Sequence, residues 1–273
     1  MSQKTPVIKC GFVLPFAMLL LIMQPWGVAD RGCMGQERVA RRGETVVTSP
    51  EQREHPLAGP LRWAQQNAWT LENEIRDYTC TLFMRKGSGE AEQIFLKVRH
   101  QPFSIYMYYL APDKARGREV LFVENQRDGK FLAHEGHGLK SLVGSVKLQV
   151  SGKYPLRNLG VKYLNERLIE LASDEIQLGK CDVLFYPDVK IGTQEAYCVQ
   201  VAHRVRSEGA RMPLARAFFD KRTGIPFRYE GYAWPDRGGE SPVLNEEYTY
   251  LNLKFNVGLT EWDFDSRNPD YSF

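Results

Sequence analysis

The sequence predicts an α+β fold that is mostly β, with a strongly curved antiparallel sheet of about eleven strands and two covering helices. Two observations carry this prediction. Apolar residues recur with helical spacing in only two segments and alternate with period two elsewhere, and most connections are too short for parallel crossovers. Because a sheet of this size curls, we expect a half-open barrel with the helices on its concave side.

The first helix is predicted from the spacing of apolar residues between Leu61 and Tyr78. The period then changes to two, and the turn-forming segment at 87–90 connects a first strand at 78–85 to a second at 94–98. The second helix is predicted over 159–171, where Leu164 and Leu168 share one face. Further strands are predicted at 103–110, 119–123, 130–134, 146–150, 182–186, 196–205, 214–219, 226–233 and 246–255.

The N-terminus has the pattern of a secretory signal peptide over residues 1–29. Lys4 and Lys9 precede an apolar run of twelve residues at 12–23, and small residues follow where a signal peptidase would cleave. This run is short for a membrane helix, which needs roughly 20 apolar residues, and it contains Pro15. We therefore expect an exported protein of the periplasm or the exterior, with no stable transmembrane segment after cleavage; an uncleaved anchor is the alternative.

Residues 30–60 are polar and mixed in charge, which predicts a flexible linker. The remainder, 61–273, has no internal linker and is predicted to form a single half-barrel domain. With 43% hydrophobic and 25% charged residues, the composition is that of a globular protein. The formal net charge is +3, too balanced to indicate a nucleic-acid partner.

Export changes the interpretation of the cysteines, because oxidising compartments permit disulfides. Cys181 opens one predicted strand and Cys198 closes the next, so a hairpin turning near 189–190 would bring them together as a disulfide. Cys33 and Cys80 are then a weaker pair or two free thiols. No CxxC element is present, which disfavours zinc.

The segment His134-Glu135-Gly136-His137 is the strongest candidate for chemistry. Imidazole and carboxylate groups are metal ligands, but metalloproteases place HExxH on a helix, whereas this is HExH in a turn after a strand. A solvent-exposed turn is the favoured interpretation. No nucleophile elbow or phosphate-binding loop is present. We therefore predict no catalytic residue, no metal and no cofactor.

Both faces of the predicted strand at 103–110 are apolar, which indicates cover on both sides, from the N-terminal arm or a partner. Phe103, Ile105 and Met107 are candidate ligand-binding residues, with simple core packing as the alternative. Arg118 and Arg216 have apolar neighbours in the sequence and could orient an anionic head group or a carbonyl. The alternative is that each guanidinium pairs with a structural carboxylate.

Five blocks of sequence resemble an exported bacterial family known as domain of unknown function number 1571. They are IRDYTCTLFMRKG at 75–87, KVRHQPFSIYMYYLAP at 97–112, GREVLFVENQRDGKFLAHEG at 117–136, FFDKRTGIPFRYEGYAWP at 218–235, and the C-terminal segment 246–273. More remotely, the order of elements and the hairpin FFD…TGIPFRYE are similar to periplasmic lipoprotein carriers and related sensors. Those relatives hold acyl chains or lipid-bearing proteins in the concavity. The family itself implies no activity and no site residues.

The sequence therefore predicts a non-enzymatic, exported protein that binds or carries an apolar or lipidated ligand in the cell envelope. Its partner would be a lipid or a lipidated protein. One alternative is a structural or interaction module of the envelope whose concavity is filled by its own side chains. A third hypothesis is a metal-assisted hydrolase that uses the His134 region.

Overall fold

A computed structural model describes residues 54–136, 142–145, 156–206, 209–237 and 240–273. The predicted signal peptide, most of the predicted linker and the strand predicted at 146–150 lie outside these ranges, as do Cys33 and His137. The predictions that concern these residues remain untested.

Within the described ranges the chain forms two α-helices, α1 at Ala58–Asn73 and α2 at Val161–Leu178. Helix α1 begins within the segment predicted as linker, and α2 continues beyond the predicted residue 171. Helix α2 ends at Gly179, which caps it with a left-handed backbone conformation (φ 64°). Glycine adopts that conformation without steric cost, so the helix ends there.

The strands of the described residues are β1 Asp77–Lys86, β2 Glu92–Arg99, β3 Ser104–Ala111, β4 Glu119–Val123, β5 Lys130–His134, β6 Leu142–Ser145, β7 Asp182–Ile191, β8 Gln194–Ala202, β9 Leu214–Asp220, β10 Pro226–Ala233 and β11 Val243–Phe255. These eleven strands, counted over the described ranges, form one open antiparallel sheet in the order β6-β5-β4-β3-β2-β1-β11-β10-β9-β8-β7. Two meanders, β1 to β6 and β7 to β11, are joined where β1 pairs with β11. The predicted mostly-β fold class, an open antiparallel sheet with two helices, is confirmed.

One face of the sheet, called the inner face here, packs against α1 and α2 and forms the main core. Alternate residues of each strand point toward it, as in Tyr78, Cys80 and Leu82 of β1. Leu71 of α1 and Val161 of α2 are fully buried against these side chains. The helices therefore cover the apolar face that the alternating pattern predicts.

The opposite face of β3 to β5 is covered by the C-terminal tail, residues 256–273. The ring of Tyr271 stacks on Tyr106 of β3 with a centroid distance of 4.0 Å. The backbone N–H of Ser272 donates a hydrogen bond to the buried carboxylate of Glu119. The predicted cover on both faces of β3 is thus present, but the chain's own C-terminus supplies it rather than an N-terminal arm or a partner.

The predicted disulfide between Cys181 and Cys198 is not formed, because both thiols are free. The β7–β8 hairpin turns at Gly192 and Thr193 rather than near 189–190. In the resulting register Cys198 pairs with Tyr186, which lies five residues beyond Cys181 along β7, so the two cysteines are roughly 16 Å apart. This exceeds the separation of roughly 4.4–6.8 Å between Cα atoms that a disulfide needs.

The two thiols also pack in separate clusters. Cys198 lies with Phe218 and Phe227, whereas Cys181 contacts the main core. Burial raises the pKa of Cys198 to about 12 and also raises the pKa of Cys181. Both thiols are therefore protonated at neutral pH and are poor nucleophiles.

Candidate ligand cavity

A largely apolar cavity lies between the two helices and the inner face of β8 to β10. It contains about 70 Å³ of space for water-sized molecules. Its polar residues are Glu175, His203, Arg211 and Arg216. Arg216 lies between Ala215 and Ala217 of β9, so its side chain points to the opposite face of that strand. The apolar residues around it are Leu57, Pro60, Ala64, Leu168, Leu171, Ala172, Val199, Val201, Met212, Ala215, Ala217, Phe219 and Tyr229.

Small side chains create this space. Ala215 and Ala217 of β9 are on the inner face, where other strands carry large residues. Ala64 of α1 and Ala172 of α2 face them from the helices. Phe219, whose ring stacks on that of Trp63 at 4.8 Å, forms one wall. Because alanines meet on both sides, the helices and the sheet do not fill the volume between them.

The N-terminal half of α2 is firmly anchored beside the cavity. The hydroxyls of Tyr250 and Tyr78 accept hydrogen bonds from the backbone N–H groups of Gly160 and Val161, at 3.0 and 3.2 Å. Burial raises the pKa of both tyrosines, so both hydroxyls remain protonated at neutral pH. The side-chain amide of Asn165 donates to the carbonyl of Ala64 on α1. These buried bonds fix the start of α2 against the sheet and against α1.

The C-terminal half of α2 is held differently. No residue from Ile169 to Leu178 is fully buried, although Leu171 and Ala172 form the roof of the cavity. Two polar contacts tie this half to the segment after β8. Arg211 pairs with Asp174 at 3.0 Å, and His203 lies against Glu175. This half of α2 is therefore held by partly buried side chains and by these two polar contacts at the edge of the cavity.

His203 and Glu175 form the polar end of the cavity. The imidazole Nε2 lies 2.9 Å from a carboxylate oxygen of Glu175, and the His203 side chain is only 2% exposed. Its other nitrogen, Nδ1, lies 3.1 Å from the carbonyl oxygen of Lys180. The Nε2 and the carboxylate oxygen are both buried and face each other, so this end of the cavity is formed by a polar contact within the domain.

A family model described as "Protein of unknown function (DUF1571)" matches residues 75–273. The chain belongs to this family. The family prediction made from the five sequence blocks is thereby confirmed. No curated protein matches the sequence. Neither helix in the described ranges is long and apolar enough to cross a membrane.

The DUF1571 chain is also similar to several solved structures. The lipoprotein LppX of Mycobacterium tuberculosis is 10% identical over 76% of this chain and 100% of its own, with a TM-score of 0.44. LprF of Mycobacterium bovis is 10% identical over 74% and 95%, with a TM-score of 0.41. A LolA superfamily protein of Nitrosomonas europaea is 10% identical over 75% and 97%, with a TM-score of 0.33.

The three apolar residues predicted to bind ligand lie elsewhere in the DUF1571 domain. Ile105 and Met107 are fully buried in the core on β3 and do not line the cavity. Phe103 borders a different pocket of about 200 Å³, together with His100 and Lys162. The structure therefore does not bring these three residues together with the cavity, and their ligand role stays a prediction.

The two arginines that were predicted to orient a ligand both have carboxylate partners. Arg118 pairs with Glu135 at 2.7 Å. Arg216 borders the cavity, but its guanidinium donates hydrogen bonds to Gln200 and Tyr232 and lies 3.5 Å from Glu230. Each guanidinium is thus engaged within the domain, and the predicted role of both arginines in orienting a ligand stays a prediction.

The predicted HExH segment is only partly described. Nδ1 of His134 is buried and has no hydrogen-bond partner among the described residues, and Glu135 pairs with Arg118. His137 lies outside the described residues. Within the part of the chain that the structure describes, His, Cys, Asp and Glu side chains form no group of three that could hold a metal.

The sequence did not single out the residues that shape the cavity. His203 was one of several scattered histidines, and Glu175 lay beyond the predicted end of α2. Ala215 and Ala217 flank Arg216, and the sequence analysis considers only the charge of Arg216 in this strand. A run of small residues on the inner face of a strand is the sequence signal that could have indicated the cavity.

Proposed function

We propose that this protein is a non-enzymatic, exported binding or carrier protein of the cell envelope, which holds an apolar or lipidated ligand between its helices and its sheet. The observation that supports this function is the apolar cavity between α1, α2 and strands β8 to β10. Ligand sites are typically concave, mostly apolar and furnished with a few polar groups at one end. This cavity has that arrangement.

The size of the cavity determines how a ligand would enter. Its volume of about 70 Å³ is well below the roughly 300–1,000 Å³ of typical ligand pockets. A space of this size does not hold a lipid chain, so we expect the roof to move when a ligand binds. The C-terminal half of α2 is the part that can yield, because it has no fully buried residue, whereas the buried hydroxyls of Tyr78 and Tyr250 hold the other half.

A fluorescent apolar probe, N-phenyl-1-naphthylamine, tests this proposal. Titration of the purified protein should give a saturable increase in fluorescence. The variant Ala172→Phe places a ring in the cavity and should weaken probe binding by about tenfold, a loss of about 1.4 kcal/mol. Ala91→Phe, the same substitution at an exposed position, is the matched control and should leave binding unchanged.

Native mass spectrometry of protein purified from its own host should show a co-purifying lipid or lipoprotein, and cell fractionation should place the protein outside the cytoplasm. The binding proposal fails if no lipid or lipoprotein co-purifies and the probe finds no saturable site. The remaining interpretation would then be a structural module of the envelope with a filled core. A protein retained in the cytoplasm would contradict export.

A further inference from the structure

An apolar groove lies at the edge of the sheet, beside the N-terminal end of α1. It contains about 330 Å³ of space for water-sized molecules, whereas the cavity contains about 70 Å³. It is open to solvent, because the side chain of Phe185 at its rim is 55% exposed. Among the described residues its lining includes no charged side chain, and its main walls are Pro60 and Trp63 of α1, Val183 and Phe185 of β7, and Tyr197 and Val199 of β8.

The groove adjoins the cavity. Pro60 and Val199 line both spaces. Trp63 connects their walls, since its ring stacks on Phe219 of the cavity at 4.8 Å and meets Tyr197 of the groove edge to face at 5.5 Å. The cavity alone is smaller than typical ligand pockets, but the two adjoining spaces together reach the roughly 300–1,000 Å³ of such pockets. One elongated ligand could therefore occupy both.

The exposed apolar side chains of this edge are not explained by folding. In the order of the described strands β7 is an edge strand, and its Leu184 and Phe185 are 49% and 55% exposed. Large apolar side chains on a free edge favour aggregation, and proteins usually avoid them. A contiguous exposed apolar surface of this kind is typical of a ligand or partner site.

The chemistry of the groove favours a hydrocarbon chain over a polypeptide. A polypeptide at a sheet edge satisfies its backbone N–H and C=O groups by pairing as an additional strand. Pro187 has no N–H group, and the β7–β8 register shifts between Tyr186 and Val189. Both features oppose strand addition at an edge. A hydrocarbon chain has no polar group to satisfy, which matches a lining without charged side chains.

From this arrangement we propose that the groove is the outer section of the ligand site and holds the part of a long, unbranched hydrocarbon chain that the cavity does not hold. The chain is that of a single-chain lipid, which enters between α1 and β7 and leaves its head group in solvent beyond Phe185. This inference rests on the proposed binding function and specifies the ligand class and its route of entry.

Displacement of N-phenyl-1-naphthylamine by alcohols of two chain lengths tests the proposal. Dodecanol should bind on the order of 100-fold more tightly than octanol, because each methylene that is buried in the groove strengthens binding about threefold. Native mass spectrometry of protein from its own host should identify a single-chain lipid. A lipidated protein as the sole co-purifying ligand would overturn the assignment to a lipid.

Two substitutions at adjacent exposed positions of β7 locate the effect. Phe185→Asp places a carboxylate in the groove and should reduce the advantage of dodecanol to less than about tenfold, while octanol affinity changes by less than about twofold. Leu184→Asp is the matched control, because adjacent side chains of a strand point to opposite faces, and it should keep the advantage. An equal effect of both variants would overturn the assignment to the groove.

Contact quenching of Trp63 tests the path of the chain directly. Dodecanol brominated at mid-chain should quench tryptophan fluorescence in the parent protein, because Trp63 lines the groove. Trp63→Phe should remove this quenching, whereas Trp69→Phe, on the same helix but 60% exposed, should retain it. Quenching that persists in Trp63→Phe would show that the chain lies elsewhere.

The design separates this inference from the proposed function. If neither the probe nor octanol binds, the cavity is not a binding site and the proposed function fails. If both bind but dodecanol has no advantage in the parent protein, only the role of the groove is wrong. If Phe185→Asp instead converts a dimer to a monomer in light scattering and keeps the dodecanol advantage, the groove is a contact between two copies, and the proposal is overturned.

Discussion

The inner faces of the two ends of the sheet are filled in different ways. On β2 and β3, the side chains of Leu96, Ile105 and Met107 are completely buried. On β9, the inner face carries Ala215 and Ala217, and a cavity lies above them. Both regions are apolar and both belong to the main core. Side-chain volume, rather than hydrophobicity, therefore decides where a ligand could fit.

The outer faces of the two regions differ as well. The outer face of β3 to β5 is apolar and lies under the C-terminal tail. The outer face of β8 to β10 carries a small apolar cluster around Phe218 and Phe227. Beside it lies a charged group in which Arg228 is bonded to Glu230 and Glu247, each at 2.7 Å. A strand that is apolar on both faces is thus buried on both faces. The candidate ligand residues of β3 were chosen for their apolar character, which here reflects complete burial.

The largest expected effect on stability comes from replacing one leucine by alanine in each region. Leu96→Ala in the filled region should lower the free energy of unfolding by about 3 kcal/mol, since it removes a fully packed side chain. Leu171→Ala at the cavity roof should cost only about 1 kcal/mol, because Leu171 is partly exposed and alanine favours helix. Urea unfolding measures both. Equal losses would show that the two regions are packed alike.

A smaller effect is expected from the outer cover. Tyr271→Ala should lower the free energy of unfolding by about 2 kcal/mol, because it removes the stack on Tyr106 and the hydrogen bond to the Asp263 carbonyl. Trp262 is in the same tail but is 51% exposed, so Trp262→Ala is the control and should change stability by less than about 0.5 kcal/mol. A larger loss for Trp262→Ala would mean that the tail packs through other contacts.

Local patterns in the sequence predicted much of the fold. The change from helical spacing to alternation placed α1 before β1, and the interrupted alternation around residues 159–171 placed α2. The pairing of β1 with β11 could not be obtained this way, since it joins residues far apart in the chain. The β7–β8 register was also predicted incorrectly, and the disulfide prediction was wrong for that reason.

The candidate site was harder to predict than the fold. Glu175 and His203 come together because α2 extends to Leu178 and β8 ends at Ala202, and neither boundary was predicted correctly. A cavity forms where small residues of the helices face small residues of the sheet, so its position depends on residues from different elements. Ala64 and Ala217 lie on different elements, so no local pattern indicates that they share a space.

The smallest expected effect concerns the ion pair that ties the tail to β2. Lys97 Nζ lies 2.8 Å from the carboxylate of Asp263, which also accepts hydrogen bonds from Thr260. Burial acts to raise the pKa of Asp263, but these hydrogen bonds outweigh it and hold the pKa below its ordinary value. The ionised form therefore stabilises the folded tail at neutral pH, and this contribution is lost as the pH falls below about 3.9 and through the folded value.

Asp263→Asn should consequently be less stable than the parent protein by about 1 kcal/mol at pH 7, as expected for one partly exposed ion pair. The difference should shrink below about pH 4, because the parent carboxyl then becomes neutral as well. Urea unfolding of both proteins from pH 7 to pH 3 measures this difference. A constant difference would show that the asparagine disturbs packing and that the charge of Asp263 does not hold the tail. The cover of the filled region would then depend on the aromatic stack and the other contacts of the tail, and the loss in Tyr271→Ala measures the stack independently.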